Sequence, residues 1–333
     1  MEKTTEIVIQ GWGASLKRKQ NRFLIHSDGE EYQYASGGVR QIVVTGACSI
    51  TSGALILASE EEVDVVICNP NGNPCCRIMP CHGAGIPELR RKQVALASGP
   101  RGYSLVNAIL RAKIIHMGTL IRAIGKKKGD PQRAVEGDAI LKTLDGLKRD
   151  GLLPRDAETI RGTEGEASRR YFSSLSQVVH PPLYIGHRSR HPANDPFNAY
   201  LNYGYGMLYN EVEKACLLAG LDPHAGFLHA DRYGHLSLVY DLIEQFRQPL
   251  IDRVVITIAL QGQMSAEDID SRGYLSNEAK RRIVVAVYAR LDDERTIEGH
   301  QTTFRNAIRE NVKSFAAAIK TGTSYSPLQW TWR

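Results

Sequence analysis

Residues 194–252 read NDPFNAYLNYGYGMLYNEVEKACLLAGLDPHAGFLHADRYGHLSLVYDLIEQFRQPLID, and their periodicity sets the class of the larger part of the chain. Apolar residues recur every three or four positions over 198–219 and again over 237–251, the spacing that gathers them on one face of a helix. Gly220 and Pro223 end the first run, and the turn that follows carries His229. On the second run Leu236, Val239, Ile243, Phe246 and Leu250 form an apolar stripe, widened by Leu238 and Leu242. Asp241 and Glu244 lie opposite it beside Gln245 and Gln248, by pattern an ordinary solvated face. A lone histidine among apolar neighbours, as His229 is, reads first as a hydrogen-bonded core residue.

Helical periodicity extends outward over most of the chain after Pro87, with further helices predicted at 88–97, 103–124, 131–148, 164–178, 277–291 and 301–320. Upstream, residues 6–77 alternate short β-rich runs (IVIQ, RFLIH, EYQYA, RQIVVTG, ALILA, VDVVICN) with turn chemistry such as SDGE, SGG and NPNGNP. One helix is expected within that region at 51–61, with Ser52 as its cap. Two composition regimes predict an α+β chain: a β-rich domain over 1–86, an all-helical domain over 87–320 and a loose tail over 321–333.

At 333 residues and 42% hydrophobic content, the chain can bury more than one core. Its net charge of +6 is compatible with a polyanionic partner without demanding one. The start, MEKTTEIVIQ, has no basic segment followed by an apolar core, and no apolar run approaches the roughly 18 residues of a bilayer span, so a cytoplasmic protein without a membrane partner is expected. The six cysteines then read as reduced thiols. Cys75, Cys76, Cys81 and His82 lack the paired C-x-x-C spacing of a structural zinc site. No G-x-x-x-x-G-K-[ST] loop is present, which argues against nucleotide-driven chemistry.

Thr163 followed by Glu166 fits a capping box and predicts a helix beginning at Glu164. At 100° per residue Glu164 shares a face with Ala167, Ser168, Tyr171, Leu175 and Val178, so it points inward. An acid at a helix start is favoured by the dipole alone, but an inward one needs a partner, structural or functional.

Several segments carry a family resemblance: TEGEASRRYF at 163–172, DPFNAYLNYGYGMLY at 195–209, AGLDPHAGFLH at 219–229, SLVYDLIEQFRQPLIDR at 237–253, RAKI at 111–114 and NEAKRRIVVAVYARL at 277–291. Together they resemble the signature of the CRISPR-associated integrase and endonuclease, here Cas-one, the catalytic subunit of spacer acquisition. The resemblance is strong over 105–291. It implies a β-rich dimerisation domain ahead of a helical catalytic one, and a divalent metal, Mn2+ or Mg2+, held by Glu164, His229 and Glu244 with Asp241 in support. It further implies double-stranded or branched DNA as substrate, a homodimer, and a dimer of the small Cas-two partner. Ser168 stands where alanine is more usual, and Ile115 and His116 stand where the family commonly has an Asn-Gln pair. Tyr205 resembles a residue near the active centre. Two carboxylates and an imidazole suit such a metal and leave room for water and phosphate oxygen. Arg188 and Arg190 in HRSRH, with the basic runs 17–19, 126–128 and 280–282, are candidates to hold a DNA backbone. A DNA-binding scaffold whose acids merely satisfy one another, and a hydrolase of small phosphoesters, are the competing readings.

Overall fold

A computed structural model describes residues 5–10, 13–27, 29–45, 47–61, 63–68, 74–78, 86–97, 99–147, 157–190, 192–229 and 235–332. The chain divides into two compact units, Met1–Glu88 and Leu89–Arg333.

The first unit contains β1 (Thr5–Gln10), β2 (Ala14–Lys19), β3 (Arg22–Ser27), β4 (Glu30–Ala35), β5 (Val39–Thr45), β6 (Cys48–Ile50), α1 (Ser52–Glu60), β7 (Asp64–Cys68) and β8 (Pro74–Ile78). They form two four-stranded sheets, in the orders β1-β5-β7-β8 and β4-β3-β2-β6. In the first, β1, β5 and β7 run parallel and β8 closes the edge antiparallel. In the second, β4, β3 and β2 are antiparallel and β6 joins β2 in parallel. Alternation turns Leu16, Phe23, Ile42 and Val65 into one core with Ala54 and Leu57 of α1. The α1 cap is Thr51 instead of the expected Ser52: its hydroxyl accepts from the Ala54 amide at 3.4 Å.

The second unit contains α2 (Ile86–Leu96, starting just before the boundary), α3 (Pro100–Lys128), α4 (Pro131–Lys142), α5 (Ala157–Ser176), α6 (Pro196–Leu218), α7 (Ser237–Ile243), a π-helical segment (Arg247–Asp252), α8 (Arg253–Leu260), α9 (Asn277–Asp292), β9 (Glu294–Ile297), β10 (His300–Thr303) and α10 (Phe304–Thr321). The expectation of an all-helical unit is corrected by the β9–β10 hairpin. Its two-residue turn, Glu298-Gly299, has both φ angles positive, 50° and 87°. α3 is the central helix. Its length and apolar composition alone would let it cross a membrane, contrary to the sequence expectation, yet 72% of its most apolar window is buried inside the protein.

Two further expectations change. α5 begins upstream of Glu164, and the 163–166 capping box does not form. Thr163 Oγ1 donates to the Thr159 carbonyl at 3.0 Å, and Glu166 pairs with Arg169 and Arg170 instead. The helix expected over 237–251 is broken after α7 because Pro249 has no N–H for the Gln245 carbonyl and its ring crowds that oxygen. The backbone widens to the π segment, and His116 Nδ1 of α3 donates to the freed Gln245 carbonyl at 3.0 Å.

The tail is docked into this unit. Tyr325 and Leu328 are buried, the Leu328 amide donates to Gln245 Oε1 at 2.8 Å, and the Trp330 amide donates to His116 Nε2 at 3.1 Å. Cys48 and Cys216 are free thiols, and Cys81 and His82 lie outside the described residues.

His116 is fully buried between two backbone groups that require a neutral ring. Burial lowers its pKa from 6.5 to about 4 against the opposing pull of the Gln245 carbonyl. The unfolded chain therefore binds the extra proton, and stability falls as pH drops from 6.5 toward 4, by on the order of 3 kcal/mol. Melting temperatures measured across that window should fall more steeply for the wild type than for His116→Gln. Parallel curves would contradict this.

Candidate active site: two carboxylates on one buried lysine

α3, α5, α6, α7 and the turn before α7 face one cavity of about 1040 Å³ in the second unit. Lys113, only 4% exposed on α3, reaches Glu164 Oε1 on α5 and lies 2.6 Å from Glu244 Oε2 just past α7. Glu164 Oε1 also accepts from Ser168 Oγ at 2.7 Å, and Glu244 Oε1 pairs with Arg247 at 3.1 Å. Two acids 80 residues apart in sequence thus share one ammonium. Burial works to lower the Lys113 pKa, but the charges of Glu164 and Glu244 outweigh it and raise it. Burial likewise works to raise Glu164, and Lys113 overrides it, holding the carboxyl at about 2. Arg247 is raised in the same way, chiefly by Glu244 against its own burial.

Asp241 and Glu244 occupy no solvated face: they are 2% and 5% exposed. Asp241 Oδ2 accepts from the amides of Phe227 (2.6 Å) and Leu228 (3.1 Å), and Oδ1 accepts from the His229 amide (3.2 Å) and His229 Nδ1 (2.7 Å). One carboxylate therefore fixes the turn and the imidazole on it. The bond holds the proton on Nδ1 and leaves the lone pair on Nε2. His229 is no core residue, since its side chain is 44% exposed and lines the cavity. Gly226 lets the turn close, for a Cβ there would stand 2.6 Å from Ser237 Cβ.

The remaining expected residues surround this centre in different ways. Arg188 donates to Asn198 Oδ1 at 2.9 Å and Asn202 Oδ1 at 2.6 Å, while Arg190 is exposed at the cavity wall. Tyr205 is buried and its hydroxyl is committed to Asp252 Oδ1 at 2.6 Å, so its ring serves as a platform. The guanidinium of Arg247 lies 4.6 Å and that of Arg188 5.4 Å from the ring centre. Asp252 is buried as well, taking Tyr171 at 2.8 Å and Gln248 at 3.2 Å. A Cβ on Gly204 would meet Ile251 at 2.6 Å, whereas Gly206 faces open space.

Glu164 and Glu244 are brought together, and His229 shares their cavity. No three His, Cys, Asp or Glu side chains among the described residues stand close enough to hold a metal as they are. Sequence reasoning missed the roles of Lys113, Arg247 and Asp252. The signal for Lys113 was present: in LRAKII it is a lysine on the apolar row of a buried helix, which calls for an anionic partner.

Comparison with known proteins follows the same outline. The family model described as "CRISPR associated protein Cas1" matches residues 7–289. A protein of Archaeoglobus fulgidus described as "CRISPR-associated endonuclease Cas1 1" is 30% identical over 346 residues, covering 98% of this chain and 99% of its own length. A Pyrobaculum aerophilum protein of the same description is 33% identical over 283 residues, covering 84% of this chain and 88% of its own. Among solved structures, a Cas1 protein from Thermotoga maritima superposes with a TM-score of 0.81 at 19% identity, over 96% of this chain and 98% of its own. A casposase bound to integration product gives 0.80 at 22% identity, over 97% and 98%. The chain belongs to the Cas1 family of CRISPR-associated proteins.

Proposed function

We propose that the chain is a metal-dependent DNA endonuclease and integrase of CRISPR adaptation. It would join the 3′-hydroxyl ends of short DNA fragments into the CRISPR array by transesterification. The observation that carries this reading is the convergence of Glu164 and Glu244 on one buried cation, in a cavity that also holds His229. Its relatives' description as endonucleases supports it.

The residues present fit Mn2+ or Mg2+. Two carboxylates and one imidazole lone pair form the donor set, and the buried Glu244 Oε2 takes no aligned hydrogen bond although Lys113 lies 2.6 Å away. Glu164, His229 and Glu244 would hold the ion. Once bound, it would polarise the phosphoryl oxygen and lower the pKa of the attacking hydroxyl. Asp241 keeps the imidazole aimed through its Nδ1 proton. Arg190 and Arg247 supply positive charge for the DNA backbone, with the Tyr205 ring and Glu244 setting the position of Arg247. One P–O bond forms as another breaks, so no nucleotide is consumed. With water as nucleophile the same centre would nick DNA. On this reading the chain acts in the cytoplasm as a homodimer through its β-rich unit, on double-stranded or branched DNA, with a dimer of the small Cas2 partner. A solved partial Cas6-RT-Cas1–Cas2 complex, which shares the fold with a TM-score of 0.72, supports that partner. The mutual pairing of Lys113 with both acids is what favours the second reading, a catalytically inert DNA-binding scaffold.

Strand transfer assayed with Mn2+ or Mg2+ should fall on the order of 100-fold or more in Glu164→Ala, His229→Ala and Glu244→Ala, and roughly 10- to 100-fold in Asp241→Asn. Wild-type rates in any of the three alanine variants would remove the metal model, and DNA binding with no turnover in the wild type would favour the scaffold.

Lys113→Met leaves the half-buried Glu164 and the buried Glu244 without the cation they share. Without divalent ions it should lose roughly 3–5 kcal/mol of stability. Adding Mn2+ should raise its melting temperature more than that of the wild type. An equal response in both proteins would show that the acids do not form a cation site.

A further inference from the structure

A second cavity of about 1270 Å³ in the same unit shares no lining residue with the first. Six cationic side chains line it: Arg122, Lys126 and Lys127 from α3, Arg253 from α8, Arg290 from α9 and Arg295 from β9. Two carboxylates line it as well. Asp130 is engaged in capping α4 through the Gln132 amide and pairing with Arg133, which leaves Glu294. The lysines alone have an ordinary explanation, because they sit in the last turn of α3 and complement its dipole. That does not account for three arginines delivered to the same place from three other elements.

The way those arginines are held points to a ligand. Arg290 spends Nε and Nη2 on the Pro249 carbonyl at 3.1 Å and lies over the rings of Phe304 (4.7 Å) and Trp330 (5.1 Å). No carboxylate is bonded to it among the described residues. Its pKa is lowered to about 10, by burial first and then by repulsion from Arg295 and Arg253. Arg295 pairs with Asp293 through Nη2, yet its Nε is buried without an acceptor, and so is the Trp330 indole N–H. Each orphaned donor costs about 1–3 kcal/mol unless an acceptor arrives. Crowded like charges beside unsatisfied donors are the makings of an anion site. The volume of the groove and the spread of its cations over four elements call for several anionic groups together.

We propose that this groove binds the phosphodiester backbone of DNA, as a second contact separate from the carboxylate cavity. The proposal deepens the reading of the chain as a DNA-acting protein. The phosphates lie along Lys126, Lys127 and Arg253 and accept from Arg290, Arg295 and the Trp330 indole. The tail residues Trp330 and Trp332 form one wall, which gives the docked tail a role in binding.

The test is binding of a fluorescently labelled DNA duplex by the full chain, followed by anisotropy across a salt series in EDTA. EDTA keeps metal-dependent chemistry out of the measurement. The variant Lys126→Gln/Lys127→Gln/Arg253→Gln spares the packed Arg290, and its melting curve reports whether it is folded. Wild-type affinity should exceed that of the folded variant by about tenfold at moderate salt. The slope of log K against log salt should be shallower in the variant by roughly 2 to 3, at about 0.9 per lost phosphate contact. Unchanged affinity and slope would overturn the proposal. Competition by inorganic phosphate as effective as unlabelled DNA at equal phosphate concentration would also overturn it, by showing a site for single anions. The reaction proposed above fails separately. A chain that never joins DNA but shows the change in slope keeps the groove and loses the reaction, and a chain that joins DNA with an unaltered slope does the reverse.

Discussion

The Lys113 ammonium is the interaction on which the rest of the larger unit depends. It is nearly inaccessible to solvent and sits against carboxylates from two other parts of the chain. An unpaired charge at that depth would be prohibitive, and two unpaired acids would repel one another. The three groups are tolerable only together, so α3, α5 and the end of α7 must meet at this point and in this register. Such a buried cluster adds less to net stability than its Coulomb energy suggests, because desolvation offsets it. What it supplies is specificity. It selects one arrangement of three helices and leaves a charged, shaped cavity where they converge.

A second constraint acts from behind. Pro249 leaves the Gln245 carbonyl without its helical donor, and His116 takes that role. The same imidazole accepts from the Trp330 amide with its other nitrogen, while the Gln245 side chain bonds Tyr325 and Leu328. Gln245 follows Glu244 directly, so one face of this turn looks into the cavity and the other is fastened to the tail. Asp241 extends the logic one turn earlier by collecting three amides and the His229 ring. The positions of Glu244 and His229 are therefore fixed by backbone bonds as much as by apolar packing.

Much of this was legible in the residues. The change from alternating to helical periodicity near Pro87 marks the start of the helical unit, because period alone separates a half-buried strand from an amphipathic helix. The inward face of Glu164 followed from Ala167, Tyr171 and Leu175, all fully buried. Other features were hidden for physical reasons. The capping box at 163–166 has the right letters, but the helix starts upstream, where those side chains find other partners. Asp241, Glu244, Gln245 and Gln248 look solvated because periodicity counts apolar residues and does not register a polar face buried against a lysine, an arginine and backbone amides. The β9–β10 hairpin is short and polar, and only its positive-φ turn distinguishes it from a loop. Lys113 required thinking of a partner far away in sequence, which pattern reading along a single helix does not do.

The docked tail has a consequence for how the protein would age or be processed. A protease nicking the segment between Ser324 and Leu328 would leave the carboxylate cavity untouched in composition. The His116 ring and the Gln245 amide would nevertheless lose their acceptors and donors to bulk water. With that latch gone, the widened backbone at Pro249 would rest on the His116 and Arg290 bonds to the Gln245 and Pro249 carbonyls, and the adjoining Glu244 would be less firmly placed. A cut in the tail, on the side of this turn away from the cavity, would then loosen Glu244 without removing any atom of the carboxylate site.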